Sequence, residues 1–188
     1  MADRRERAAS ESPRQRAAAT IRVRARPGER ARGVLIVAAQ HIAVALGRAG
    51  IRANKREGDG ATPRGVFRPA RLWWRADRAV RPSTRLPGRR IRPEDAWCED
   101  PRDWRYNRAV ERAAGQAGDR LWRADPLYDL IVELDHNTRP RVAGRGSAIF
   151  IHVARPGLAP TAGCVALPAN RLRWLVGLLG PKTRIQIQ

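Results

Sequence analysis

From residue 20 onward the apolar positions fall in short runs, and their spacing predicts strands far more often than helices. "TIRVRAR" (20–26) alternates apolar and basic residues, the period of a half-exposed strand. "GVLIVAAQHIAVALGRAGI" (33–51) predicts two strands, with a turn signal in "GRAG" (47–50). Further strands are expected in "GVFRPARLWWR" (65–75), "LYDLIVELDHN" (127–137), "SAIFIHVA" (147–154), "GCVALP" (163–168) and "TRIQIQ" (183–188). One helix is expected near the end of the chain. Asn170 can cap it, Leu172, Leu175, Val176 and Leu179 share a face, and Gly180-Pro181 ends it. The stretch 76–126 is rich in proline, arginine and tryptophan and has weak periodicity, so it predicts loop with short helix. Trp97, Trp104 and Trp122 are expected to anchor that stretch to a core. Residues 1–19 are charged and alanine-rich, and predict a mobile tail. The pattern therefore predicts one domain over residues 20–188, mainly β and mainly antiparallel, with a few short helices.

Composition changes this picture little. A chain of 188 residues with 43% hydrophobic residues can bury a single core. The net charge of +20 favours polyanionic surroundings. Nearly all of it is arginine spread along the chain, however, and GC-rich coding produces such usage with no nucleic-acid partner. Charge alone supports only non-specific binding, and no specific nucleic-acid signature is present. A non-enzymatic basic module for nucleic acid or another polyanion is the alternative reading. No run is long enough to span a membrane. The first twenty residues lack the apolar stretch of a secretory signal, so no Sec export is predicted from them.

Cysteine and histidine are scarce, which draws attention to where they fall. The histidines are His41, His136 and His152, and the cysteines are Cys98 and Cys164. Neither a CxxC pair nor HExxH is present, so no metal site is expected. In "IFIHVARPGLAPTAGCVAL" (149–167), His152 lies in a predicted strand and Cys164 opens the next, about ten residues on. Neighbouring strands would bring the two within reach. Imidazole could then take the thiol proton, Gly163 would let substrate approach the backbone, and the amides at Gly163 and Cys164 could meet an oxyanion. Thr161 could order the turn or touch substrate. Spacing alone leaves a catalytic pair and an ordinary buried pair both open.

The same stretch resembles the catalytic motif of the L,D-transpeptidases, the YkuD-type domain: a histidine on a strand, a variable loop, then Ser/Thr-x-Gly-Cys followed by Val or Ile. "KREGDGATPRGVF" (55–67) is similar to the family's upstream Gly-Asp-x-x-Thr-Pro-x-Gly-x-Phe segment. "AWCEDP", "YNR" and "LWRADPLYDLIVELDHN" resemble a branch of short, single-domain proteobacterial members. Ala166 stands where many members carry arginine, and Arg145 or Arg155 could supply a guanidinium instead. The resemblance implies a β-sandwich-like catalytic domain, a Cys164 nucleophile, His152 as base, and no cofactor; the place of Cys164 after Gly163 and near His152 predicts that its thiol, unlike that of Cys98, is accessible and of low pKa. Peptidoglycan stem peptides would be the partner, in a periplasmic or cell-envelope setting. The chemistry implied is 3→3 cross-linking through a thioester, or L,D-carboxypeptidase action when water is the acceptor. Thr161, Arg145, Tyr106 and Asn107 are the expected substrate contacts, and the segment 58–65 is expected to border the cleft.

Overall fold

The computed structural model describes residues 17–112 and 118–188. Most of the tail expected over residues 1–19 lies outside the described residues; at its end the Ala18 amide donates to the Leu178 carbonyl. The strands are β1 (Thr20–Arg26), β2 (Glu29–Val37), β3 (Gln40–Ala45), β4 (Ile51–Arg52), β5 (Thr62–Pro63), β6 (Gly65–Phe67), β7 (Pro69–Trp74) and β8 (Gly88–Arg90). After them come β9 (Asp95–Cys98), β10 (Arg108–Glu111), β11 (Asp119–Arg120), β12 (Leu130–Leu134), β13 (Phe150–Val153), β14 (Val165–Leu167) and β15 (Arg184–Ile187). The helix α1 spans Ala169–Gly177, and short 3-10 turns cover Pro126–Tyr128 and Pro156–Leu158.

Ten strands form one sheet in the order β6-β15-β1-β2-β3-β14-β13-β12-β7-β8. A second sheet, β10-β9-β11, is antiparallel. The fold is mainly β, as the pattern predicts, but the large sheet is mixed: β1–β15, β7–β8 and β13–β14 are parallel pairs. A parallel pair needs a crossover rather than a hairpin, and the long loop after β13 supplies one.

Two further expectations are corrected. Residues 95–98 and 108–111 pair as antiparallel strands around a loop of turns, where loop with short helix is expected. All four residues of β9 are buried, so the strand carries no apolar–polar alternation to read. The helix starts at Ala169, with Pro168 in the cap position and no side-chain cap; Asn170 lies inside the first turn.

Two apolar clusters flank the large sheet. One contains Ile21, Val23, Leu35, Ile151, Val153, Val165 and the α1 residues Leu172, Leu175 and Val176. The other gathers Trp73, Trp97, Leu121, Leu127, Tyr128, Phe150 and Cys164. Edge-on ring pairs, Trp97 with Phe150 at 5.0 Å and with Trp73 at 6.5 Å, join the small sheet to the large one.

Candidate active site

His152 and Cys164 come together because β13 and β14 are parallel neighbours. His152 is in register with Ala166, and Cys164 precedes Ala166 by two residues, so both side chains lie on the face covered by the small sheet. The Phe150 amide donates to Cys164 Sγ at 3.4 Å, and the thiol donates to the Ala148 carbonyl at 3.2 Å. His152 Nδ1 is 2.9 Å from the Val153 carbonyl oxygen. A carbonyl only accepts, so Nδ1 carries the proton and Nε2 keeps its lone pair.

The turn before the cysteine is held by Thr161. Its hydroxyl donates to the Cys164 carbonyl at 2.7 Å and accepts from the Gly163 amide at 3.1 Å. Gly163 has φ +149°, and a Cβ there would stand 2.8 Å from the Ala61 carbonyl oxygen. Only glycine lets the 55–63 loop pack this closely. Asp59 organises that loop, accepting from Lys55 Nζ and from the Arg56 and Ala61 amides. Burial alone would raise the Asp59 carboxyl, but these donors outweigh it and hold it below its ordinary value.

Two clefts meet at Cys164. One, of about 280 Å³, is lined by His152, Arg123, Arg155, Leu127 and Pro160. The other, of about 210 Å³, is lined by Arg48, Lys55, Glu57, Gly58 and Gly163. Cys164, Tyr128, Glu99 and Asp119 border both. Larger hollows exist, among them one of about 540 Å³ beside Asn54 and Arg145, but no cysteine or histidine lines it.

The electrostatics correct one expectation. The thiol is not acidic: Cys164 is 7% exposed where it borders the clefts, and burial, with Asp119 and Glu99 adding to it, pushes it up to about 12. Burial, with Arg155 and Arg123 adding to it, brings His152 down to about 4. The resting pair is therefore thiol and neutral imidazole, not thiolate and imidazolium.

Of the expected substrate contacts, only Thr161 lines a cleft with Cys164. Tyr106 is buried and donates to Glu57, which also accepts from Ser147. Asn107 is buried too; its Oδ1 accepts from Trp97 Nε1 and the Ala148 amide, and its Nδ2 donates to the His136 and Asn137 carbonyls. Arg145 lines the separate hollow, and its carbonyl accepts from His136 Nε2. Arg155, by contrast, shares the cleft of His152. Gly58 of the 58–65 segment borders the second cleft.

Sequence reasoning missed Tyr128, Asp119 and Glu99. Tyr128 sets its ring edge-on to His152 at 5.3 Å and donates to Asp119 Oδ2 at 2.6 Å. Burial, then the Asp119 and Glu57 charges, pushes Glu99 up to about 7. The Asp125-Pro126 start signal could have separated Tyr128 from the strand, because Asp125 caps the turn that carries it.

The model of the YkuD family, the L,D-transpeptidase catalytic domain, matches residues 28–187. No curated protein matches the chain, and no solved structure does.

Proposed function

This chain belongs to the L,D-transpeptidase catalytic-domain family, and from that premise we propose that Cys164 and His152 carry out acyl transfer on peptidoglycan stem peptides. One observation carries the reading: on adjacent parallel strands, a thiol and an imidazole with a free Nε2 line one cleft.

Substrate enters with the thiol still protonated. His152 Nε2 takes that proton as the sulfur–carbon bond forms at the carbonyl between the L-centre of diaminopimelate and the terminal D-Ala. The carbonyl oxygen becomes an oxyanion. The Gly163 amide already donates to Thr161, so the Cys164 amide is the donor this turn offers to that oxyanion. Collapse expels D-Ala, whose amine leaves with the proton from His152. An acceptor amine then attacks the thioester, returns a proton to His152 and frees the thiol, which gives the 3→3 cross-link. Water in place of the amine gives the carboxypeptidase product. Two clefts meeting at one sulfur suit a reaction that needs a donor and an acceptor. No step calls for a cofactor. A periplasmic or envelope setting follows from the substrate.

Intact mass after incubation with a carbapenem, together with D-Ala release from a tetrapeptide stem, tests the reading. Acylation confined to Cys164 and release lost in Cys164→Ala are expected. Acylation elsewhere, or release by the folded variant, would refute it.

A further inference from the structure

Each of the two clefts at Cys164 holds one paired cation and one unpaired one. In the smaller cleft Lys55 donates to Asp59 at 2.5 Å. In the larger, Arg123 forks onto Asp125, with Nε at 2.7 Å and Nη2 at 2.6 Å from its two oxygens. Among the described residues, Arg48 and Arg155 form no ion pair or hydrogen bond with a carboxylate, although the Arg155 charge reaches Asp125 and helps to lower it. Arg155 lies two residues past the end of β13 and heads the Pro156–Leu158 turn, three residues beyond His152 and on the same cleft. It is exposed, so its guanidinium is not committed to the fold. Glu99 and Asp119 also line this cleft.

We infer that Arg155 binds the C-terminal carboxylate of the residue that leaves, and so selects donor peptides that end at that residue. The inference rests on the acyl-transfer reading. In that reading His152 hands its proton to the leaving amine, so the leaving residue lies on the His152 side, in the larger cleft. Its carboxylate is one carbon away from that amine. Within the cleft Arg123 already holds a carboxylate, and Arg155 is the cation left to receive another. A planar guanidinium suits this task because it can bind both carboxylate oxygens at once.

The test compares D-Ala release from a tetrapeptide stem with release of D-alaninamide from the same stem carrying a C-terminal carboxamide. Wild type should favour the carboxylate by roughly 10–100-fold in kcat/KM, the size of a charge-assisted hydrogen bond. In Arg155→Gln the ratio of the two rates should fall close to one, and Arg155→Lys should keep part of it. Arg48→Gln, in the other cleft, should keep the wild-type ratio whatever it does to the rates. Matching thermal melts establish that the variants are folded. Equal rates in wild type, or a preference that survives Arg155→Gln, would overturn the assignment while leaving the acyl-transfer reading in place. No release from either substrate would overturn that reading, and the assignment with it.

Discussion

On β1 and β15, Arg22, Arg24 and Arg184 project into solvent, while Ile21, Val23, Ile185 and Ile187 are buried on the other face. On β13 and β14 all seven residues are buried. The difference lies in what covers each region. The sheet at β1 and β15 is packed on one side. At β13 and β14 the α1 cluster covers one face and the small sheet, through Trp97, covers the other. A polar side chain on a half-covered strand costs little. On a doubly covered strand it costs ~1–3 kcal/mol unless its bonds are made. His152 and Cys164 are tolerated there because Val153, Ala148 and Phe150 supply those bonds. The second layer that makes them expensive also gives the clefts their walls.

Substitution within the covered region should break this contrast most sharply. Cys164→Ala should abolish thioester formation. His152→Ala should lower D-Ala release by at least the ~10²–10⁴-fold typical of a lost acid–base group, with the fold kept. Near-normal turnover in folded His152→Ala would show that another residue is the base. His136 and His41 serve as controls, since His136 is tied to the Arg145 carbonyl and His41 is exposed.

Removing the cover comes next. Trp97→Ala deletes a side chain that meets both Phe150 and Trp73, and should cost ~3–5 kcal/mol in urea unfolding. A loss below ~1 kcal/mol would mean that the small sheet only rests on the large one.

Acid should also distinguish the two regions. His152 titrates near 4 when folded and near its ordinary 6.5 when unfolded, so the unfolded chain binds more protons between those values. Stability should therefore fall from pH 6.5 to 4, by on the order of 3 kcal/mol from this residue. Glu99 acts in the opposite sense. Its folded value near 7 lies above its ordinary 4.5, so its contribution is present at low pH and fades as pH rises through 7. Unfolding midpoints of His152→Gln and Glu99→Gln across pH 4–8 separate the two. A wild-type slope retained in His152→Gln would disprove the histidine's part.

The smallest effect belongs to the open region. Arg22→Gln and Arg24→Gln should change stability by no more than ~0.5 kcal/mol and leave D-Ala release at the wild-type rate. A larger loss of activity would tie that exposed face to the reaction.

The same contrast explains what the sequence could reveal. β1 alternates and is read at once, and the β2–β3 hairpin follows from its two apolar runs. α1 is found through its apolar face, although its cap lies two residues earlier, at Pro168 rather than Asn170. The buried strand β9 has no alternation, and its partner is defined only by pairing with it, so both pass for loop. At the site, His152, Gly163 and Cys164 were legible because they fall within one short motif. Tyr128, Asp119 and Glu99 were not. They sit on separate segments, and only the docking of the small sheet brings them to the sulfur. Asn107 and Tyr106 line neither cleft; their polar atoms tie loops to one another and to Trp97 of β9.

Ala148 is buried with φ +51°, an uncommon conformation for a residue with a Cβ, and its carbonyl accepts the hydrogen bond of the Cys164 thiol. Burial pushes the thiol well above its ordinary value, so very little of it is ionised at neutral pH. Oxidants attack the ionised form, so the cysteine at rest is shielded from the redox state of its surroundings. Dilute hydrogen peroxide at pH 7 should leave carbapenem acylation of Cys164 intact over hours, whereas an acidic thiol in the same place would be lost in minutes.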